Sequence, residues 1–271
     1  MDLSTVEAVV PAERASIDRW QPGDAWLAGG TWLFSEPQPQ VRRLVDLTAF
    51  GWPALLESRD GLEIAATCTL AELAGWARPE AWPASELITQ CCHALLGSFK
   101  VWNAATFGGN LCLALPAGPM TSLAVALDGV CTVWAPNGET RSVSALEFVI
   151  GPGENVLTEG ALLRSVLLPD SALRSRTAFR QLSLTELGRS AVVVIGRRSL
   201  AGGDFVITVT ASVPRPAQLR FPAFPSAEEL REALDEAELR YYDDLHGDPA
   251  WREHLTRMYA EEVRRELEQS P

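Results

Sequence analysis

Two short segments carry residue types suited to holding a bulky anion. The first is Leu27-Ala28-Gly29-Gly30-Thr31-Trp32-Leu33. The second is Ala105-Thr106-Phe107-Gly108-Gly109-Asn110, trailed by Pro116-Ala117-Gly118. Each sets a Gly-Gly pair beside a threonine in what reads as a loop. Glycine lets a backbone come close to a large group and take dihedrals closed to other residues. Successive free N–H groups then form a nest for phosphate oxygens, and Thr31, Thr106 and Asn110 can add side-chain hydrogen bonds. Neither segment matches GxGxxG or the P-loop with its lysine, so those nucleotide-binding modes are unsupported. A lone Gly-Gly pair is ordinarily just a turn. An acidic chain without a P-loop lysine needs another way to hold a diphosphate, and two opposed backbone nests would supply it.

Other reactive side chains form no recognisable set. The cysteines are Cys68, Cys91, Cys92, Cys112 and Cys131, an odd number with no CxxC pair. A disulfide framework, a structural zinc and an iron–sulfur site are all disfavoured. The vicinal Cys91-Cys92 reads as two small apolar residues on a helix. The histidines, His93, His246 and His254, are scattered without metal-ligand spacing. The last two read as surface residues of a C-terminal helical region. No nucleophile–histidine–carboxylate set is evident, so no catalytic residue is assigned.

The elements that must position the glycines follow from hydrophobic periodicity. Trp26-Leu27-Ala28 is a short apolar strand running into Gly29-Gly30, and residues 41–47 read as another strand. Residues 61–66 form a strand, and Thr69 with Glu72 has the capping-box pattern of a helix start. Residues 83–99 read as a helix with apolar positions at Leu87, Ile88, Cys91, Leu95 and Leu96. Residues 100–119, rich in Gly, Asn and Pro, read as loop. A short helix over 121–127 precedes a hairpin turning at Pro136-Asn137-Gly138. Residues 161–168 are a strand, and 169–175 is the expected domain boundary. Beyond it lie β-like runs at 191–195 and 205–211, with a turn at Gly202-Gly203-Asp204. Acidic amphipathic helices follow over 226–240 and 249–268.

Composition narrows the class further. The chain has 271 residues and a net charge of −12, which repels phosphate backbones and anionic lipid, so neither nucleic acid nor membrane is an expected partner. No apolar run reaches membrane-span length. Met1 to Glu7 lacks the basic and apolar regions of a secretory signal, so a cytoplasmic location is expected.

Taken together, the segments resemble the FAD-binding (medium) subunits of molybdenum hydroxylases, the xanthine dehydrogenase and carbon monoxide dehydrogenase family. The first segment is similar to that family's AGGT(D/N)L loop, and the second to its ATIGGN loop with trailing PAGD. Their spacing of about 75 residues also fits. Residues Tyr241–Leu255 resemble the family's D-x-x-G-S-x-x-Y-R-x-x-L stretch, and Ala178-Phe179-Arg180-Gln181 with Gly188-Arg189-Ser190-Ala191 resembles the strand leading into its C-terminal domain.

The resemblance implies an α+β architecture. A two-subdomain FAD-binding fold of the vanillyl-alcohol oxidase type would occupy residues 1–170, with subdomains of about 1–55 and 56–170. A small antiparallel sheet with helices would occupy 171–271. FAD would lie in the cleft, with Ala28, Gly29, Gly30, Thr31, Trp32 and Leu33 along the pyrophosphate. Ala105, Thr106, Gly108, Gly109 and Asn110 would face its other side and the ribityl chain, near Pro116, Ala117 and Gly118. Arg180 stands where relatives often place a lysine near the isoalloxazine. The implied partners are a molybdenum-cofactor large subunit and a [2Fe–2S] small subunit, in a heterotrimer or a dimer of heterotrimers. The chain would take electrons from the clusters and pass them to an external acceptor.

The sequence departs from the family pattern at several places. Trp32 replaces the usual Asp or Asn, Trp102 an Arg, Leu115 a small polar residue, and Pro119 the Asp that follows Pro-Ala-Gly. Each lost hydrogen bond costs about 0.5–1.5 kcal/mol. Two other readings therefore stand beside electron transfer: a degenerate scaffold subunit of the same complex that binds no flavin, and a free-standing flavin reductase on the same fold.

Overall fold

The computed structural model describes residues 4–269, so Met1–Leu3 of the leader reading lie outside it. The chain begins with a small parallel sheet. Strand β1 (Ala8–Pro11) leads through a helical turn, α1 (Ala15–Asp18), to β2 (Asp24–Leu27) and β3 (Arg43–Asp46). The order is β1-β3-β2, with β3 parallel to both neighbours. A bidentate ion pair locks β2 to β3: Arg43 Nε and Nη2 donate to Asp24 at 2.8 and 2.5 Å. An aromatic cluster of Trp20, Trp26, Phe50, Trp52 and Trp134 fastens this sheet to the next.

The second sheet starts with the hairpin β4 (Leu55–Ser58) and β5 (Gly61–Ala65). A helical excursion follows: α2 (Leu70–Gly75), α3 (Glu86–Ala94), α4 (Phe99–Trp102), α5 (Phe107–Leu113) and α6 (Pro119–Ala126). Thr69 caps α2 with both arms of the capping box in place, as its spacing predicts. Strands β6 (Val130–Trp134) and β7 (Thr140–Ser144), helix α7 (Ala145–Phe148), the ribbon β8 (Val149–Gly151) and β9 (Glu154–Asn155), and β10 (Leu162–Pro169) complete the unit. The sheet is antiparallel in the order β4-β5-β10-β6-β7. Its central strand, β10, is buried almost throughout.

After a short helix, α8 (Asp170–Leu173), the chain forms an antiparallel meander of β11 (Arg176–Ser183), β12 (Ser190–Arg198), β13 (Phe205–Thr210) and β14 (Ala217–Phe221). Helices α9 (Ala227–Glu236) and α10 (Pro249–Gln269) follow. Strand β12 is apolar on both faces, and its alternation sorts two cores. Val193 and Ile195 join the core beneath α3 and α6, whereas Val192 and Val194 pack against α10. This continuous apolar run, unlike the alternating pattern of a half-exposed strand, follows from burial on both sides. One core therefore runs past residue 170 into the C-terminal sheet. The architecture is mixed α+β with several sheets.

Two sequence expectations fail here. The helix read over 83–99 ends at Ala94, because Leu95 turns extended and residues 95–98 break away as irregular chain. The stretch 100–119 read as loop contains α4 and α5, and α6 begins at its end. Gly108 and Gly109 sit inside α5, against a helix-propensity cost of about 1 kcal/mol each. Packing against the second sheet outweighs that cost.

Candidate functional site

An open cleft of about 580 Å³ lies between the end of β2 and the α3–α6 excursion. One wall is Ala28–Leu33, and the opposite wall takes Ala105, Thr106, Gly109 and Asn110. Leu95–Ser98, Val101, Cys112, Leu113 and Leu115 line it further, with Arg189 at one side. The two segments singled out in the sequence thus face each other across one cavity of ligand-binding size. Gly29 lies directly against Ala104, the residue before the second segment. A Cβ on Gly29 would fall 1.6 Å from the Ala104 carbonyl oxygen, so no other residue fits without moving the backbone.

The first segment has the properties of a nest. Gly30 is left-handed, at φ +68°. Its carbonyl accepts from Phe34 N at 2.8 Å, and that of Trp32 accepts from Ser35 N at 2.9 Å, which curls the loop. Among the described residues no acceptor pairs with the N–H groups of Gly29 through Leu33. A run of unpaired donors beside a cavity is a place for an anion.

The second segment is built differently, and the expectation of a second nest is corrected. Phe107 N donates to Cys68 O at 2.8 Å and Gly108 N to Ala66 O at 3.0 Å. Gly109 N donates to the Thr106 hydroxyl at 3.0 Å, the N-cap of α5. Asn110 N closes the helix turn onto Thr106 O. All the N–H groups of the Gly-Gly pair are consumed by the protein. Gly108 is buried because α5 lies directly on the end of β5: a Cβ there would meet Ala66 at 2.4–2.7 Å. The Asn110 side chain is also engaged, its Oδ1 accepting from Met120 N at 3.0 Å and so capping α6.

The remaining expected site residues separate. Gly108 does not line the cleft, and Pro116, Ala117 and Gly118 face two smaller neighbouring cavities instead. Arg180 is also absent from the cleft. Its guanidinium donates to Glu262 at 2.8 Å and Glu266 at 2.7 Å on α10, and these carboxylates hold it in its charged form against the cost of burial. The cation that lines the cleft is Arg189, whose guanidinium carbon lies 5.9 Å from the centre of the Trp32 ring. Arg189 stood in a quoted motif but carried no assigned role. Its position became legible only once the meander placed β12 beside the cleft.

The departures from the family pattern have local explanations. Trp32, partly exposed, offers its indole to the cleft. Trp102 is outside it, donating to Leu95 O at 3.3 Å and packed beside His93. Pro119 is buried at the first position of α6, where a missing N–H costs nothing. Cys91 and Cys92 are fully buried in α3, and burial raises both thiols, that of Cys92 to about 12. His246, read as a surface residue, instead lines a cavity beside the cleft. Among the described residues no helix is long and apolar enough to cross a membrane.

Comparisons with known proteins bear on the fold and the family of the chain. Residues 5–171 match the model of the FAD binding domain in molybdopterin dehydrogenase. The chain superposes on quinoline 2-oxidoreductase from Pseudomonas putida 86 with a TM-score of 0.81, at 22% identity over 99% of each chain. Carbon monoxide dehydrogenase from Hydrogenophaga pseudoflava gives a TM-score of 0.81 at 19% identity over 97% of each. At these identities the likeness is one of fold. Among curated sequences, xanthine dehydrogenase 1 of Arabidopsis thaliana is 30% identical over 124 residues, or 43% of this chain and 9% of that protein. Xanthine dehydrogenase of Oryza sativa subsp. japonica is 28% identical over 116 residues, 41% of this chain and 8% of that protein. The matched stretch is therefore a small part of those relatives. By the family match over most of its length, this chain belongs to the FAD-binding domain family of the molybdopterin dehydrogenases, a family of oxidoreductases.

Proposed function

We propose that the chain binds FAD in the cleft and serves as the electron-transfer subunit of a molybdenum hydroxylase complex. Its partners would be a molybdenum-cofactor subunit and a [2Fe–2S] subunit. The observation that carries this reading is the run of unpaired N–H groups from Gly29 to Leu33 at the cleft wall. An acidic protein holds a diphosphate best by such neutral donors, since they add attraction without a dedicated lysine. When bound, FAD supplies a carrier that exchanges electrons singly or in pairs. The chain's own part is to bind and orient. The nest takes the diphosphate, Ala28 and Trp32 give apolar surface, and Thr106 and Gly109 close the opposite wall. Substrate oxidation would take place in the molybdenum subunit, and the electrons would leave for an external acceptor.

The test is the visible spectrum of the complex purified with its partners, followed by acid release of flavin. About one FAD per chain, lost on Gly29→Asp, is the expected result. One observation favours the scaffold reading: the second Gly-Gly pair spends its N–H groups within the protein. Iron–sulfur absorption without flavin would select that reading. No observation favours a free-standing flavin reductase.

A further inference from the structure

Beside the cleft lies a second cavity of about 230 Å³, lying between the meander, the segment before α10 and the trailing Pro116-Ala117. We propose that it is a binding pocket for an oxyanion, a phosphate or carboxylate group, seated on Arg189 with Tyr242 and His246 as hydrogen-bonding partners. The proposal does not rest on the flavin reading.

The charge balance carries the argument. Two guanidinium groups line the pocket, Arg189 and Arg252, and one carboxylate, Asp244. Arg252 is 1% exposed and already committed. It donates to Ala211 O at 2.9 Å and to Asp244 Oδ1 at 2.5 Å, and Asp243 and Asp248 add to the negative field around it. Arg189 is different: it is exposed at the pocket edge, it forms no ion pair among the described residues, and its guanidinium faces the Trp32 ring. Arg189 is therefore the one guanidinium of the pocket whose charge is not already matched by a carboxylate of the lining.

The uncharged groups point the same way. Among the described residues the Tyr242 hydroxyl and the His246 ring make no hydrogen bond, although both side chains are half-buried and line the pocket, the Tyr242 ring beneath the Arg252 guanidinium. Groups of this kind find partners when they are enclosed. The Arg252 Nε is buried and likewise unpartnered. The turn that carries His246 is fixed, since Asp244 Oδ1 accepts from His246 N at 2.8 Å and from Arg252 at once. The wall that carries His246 is thus fixed before any ligand arrives. Its volume matches about eight waters, enough for a phosphate or a small carboxylic acid. Leu115 and Arg189 also line the main cleft, so a longer ligand anchored here by its anionic end would extend along the cleft edge.

Calorimetric titration of the purified full-length chain with inorganic phosphate, with acetate, and with sodium chloride at matched ionic strength tests the proposal. Saturable binding of phosphate or acetate, but not chloride, is expected. Phosphate alone would identify a phosphate-bearing ligand and acetate alone a carboxylate. Arg189→Gln should weaken binding about tenfold or more, the usual loss for a charge-assisted hydrogen bond, and Tyr242→Phe about threefold or more. Among the described residues neither side chain has a hydrogen bond or ion pair, and Tyr242→Phe keeps the ring beneath Arg252, so both variants should melt like the parent. Arg252 is left alone because it clamps Ala211 and Asp244. Absence of saturation with either oxyanion, or unchanged affinity in both variants, would overturn the proposal.

Discussion

The two Gly-Gly segments look alike on paper and do opposite things. At Gly29-Gly30 the glycines free the backbone: Gly30 takes a left-handed φ, and the N–H groups that follow stay unpaired beside the cleft. At Gly108-Gly109 the glycines let a helix come close: α5 rests on Ala66, and the N–H groups go to Ala66 O and the Thr106 hydroxyl. One pair leaves donors free at the cleft wall, and the other builds the opposite wall. What separates them is where their donors go, and a residue string does not record that.

The comparison breaks most sharply at Gly108. Gly108→Ala should destabilise the fold by about 3 kcal/mol, at the upper end for overpacking, because the contact is with backbone and cannot relax by rotamer change. Thermal or urea unfolding would read this, and a near-neutral result would mean that α5 does not rest on β5.

Next in size is the clamp that holds the first segment. Asp24→Asn should cost about 2 kcal/mol at neutral pH, less than a fully enclosed pair because Arg43 reaches solvent. Burial pushes the Asp24 carboxyl up, but hydrogen bonds from Arg43 and Gln21 N outweigh it and hold it below the usual carboxylate value. A depressed folded-state pKa gives stability that is present above the unfolded value of about 3.9 and lost as pH falls through the folded one. Unfolding curves of the parent and Asp24→Asn should therefore begin to converge as pH falls below about 4 and meet only below the depressed folded value.

Gly30→Ala sharpens the contrast from the other side. Holding an alanine at φ +68° costs about 1–2 kcal/mol, and the Phe34 ring must also move. The larger consequence expected is loss of bound flavin from a protein that still folds. The smallest effect is expected for Thr106→Val. Losing the N-cap should cost about 1 kcal/mol, and flavin content should hold, since that hydroxyl already serves Gly109. Flavin lost from a stable Thr106→Val variant would return the second segment to a direct binding role.

Much of the framework was legible in order and type. Strands 61–66 and 161–168, the capping box at Thr69 and the two C-terminal helices follow from periodicity and local hydrogen-bonding chemistry, which act within a few residues. Helix α5 was not legible, because glycines argue against a helix and only contact with Ala66 reverses the balance. Arg180 was misplaced for a related reason. A strand arginine can face either side of its sheet, and the carboxylates of Glu262 and Glu266, more than eighty residues away, decide which.

By itself the sequence determined that this is an acidic α+β protein with two glycine-rich segments and a family resemblance built around them. These are properties of composition, local propensity and motif. The tertiary structure alone decided which glycine pair keeps its donors free, which arginine lines the cleft, and that Tyr242, His246 and Arg189 share one cavity. Those outcomes depend on partners distant in the chain, and a backbone donor or a guanidinium takes its role from whatever acceptor the fold brings to it.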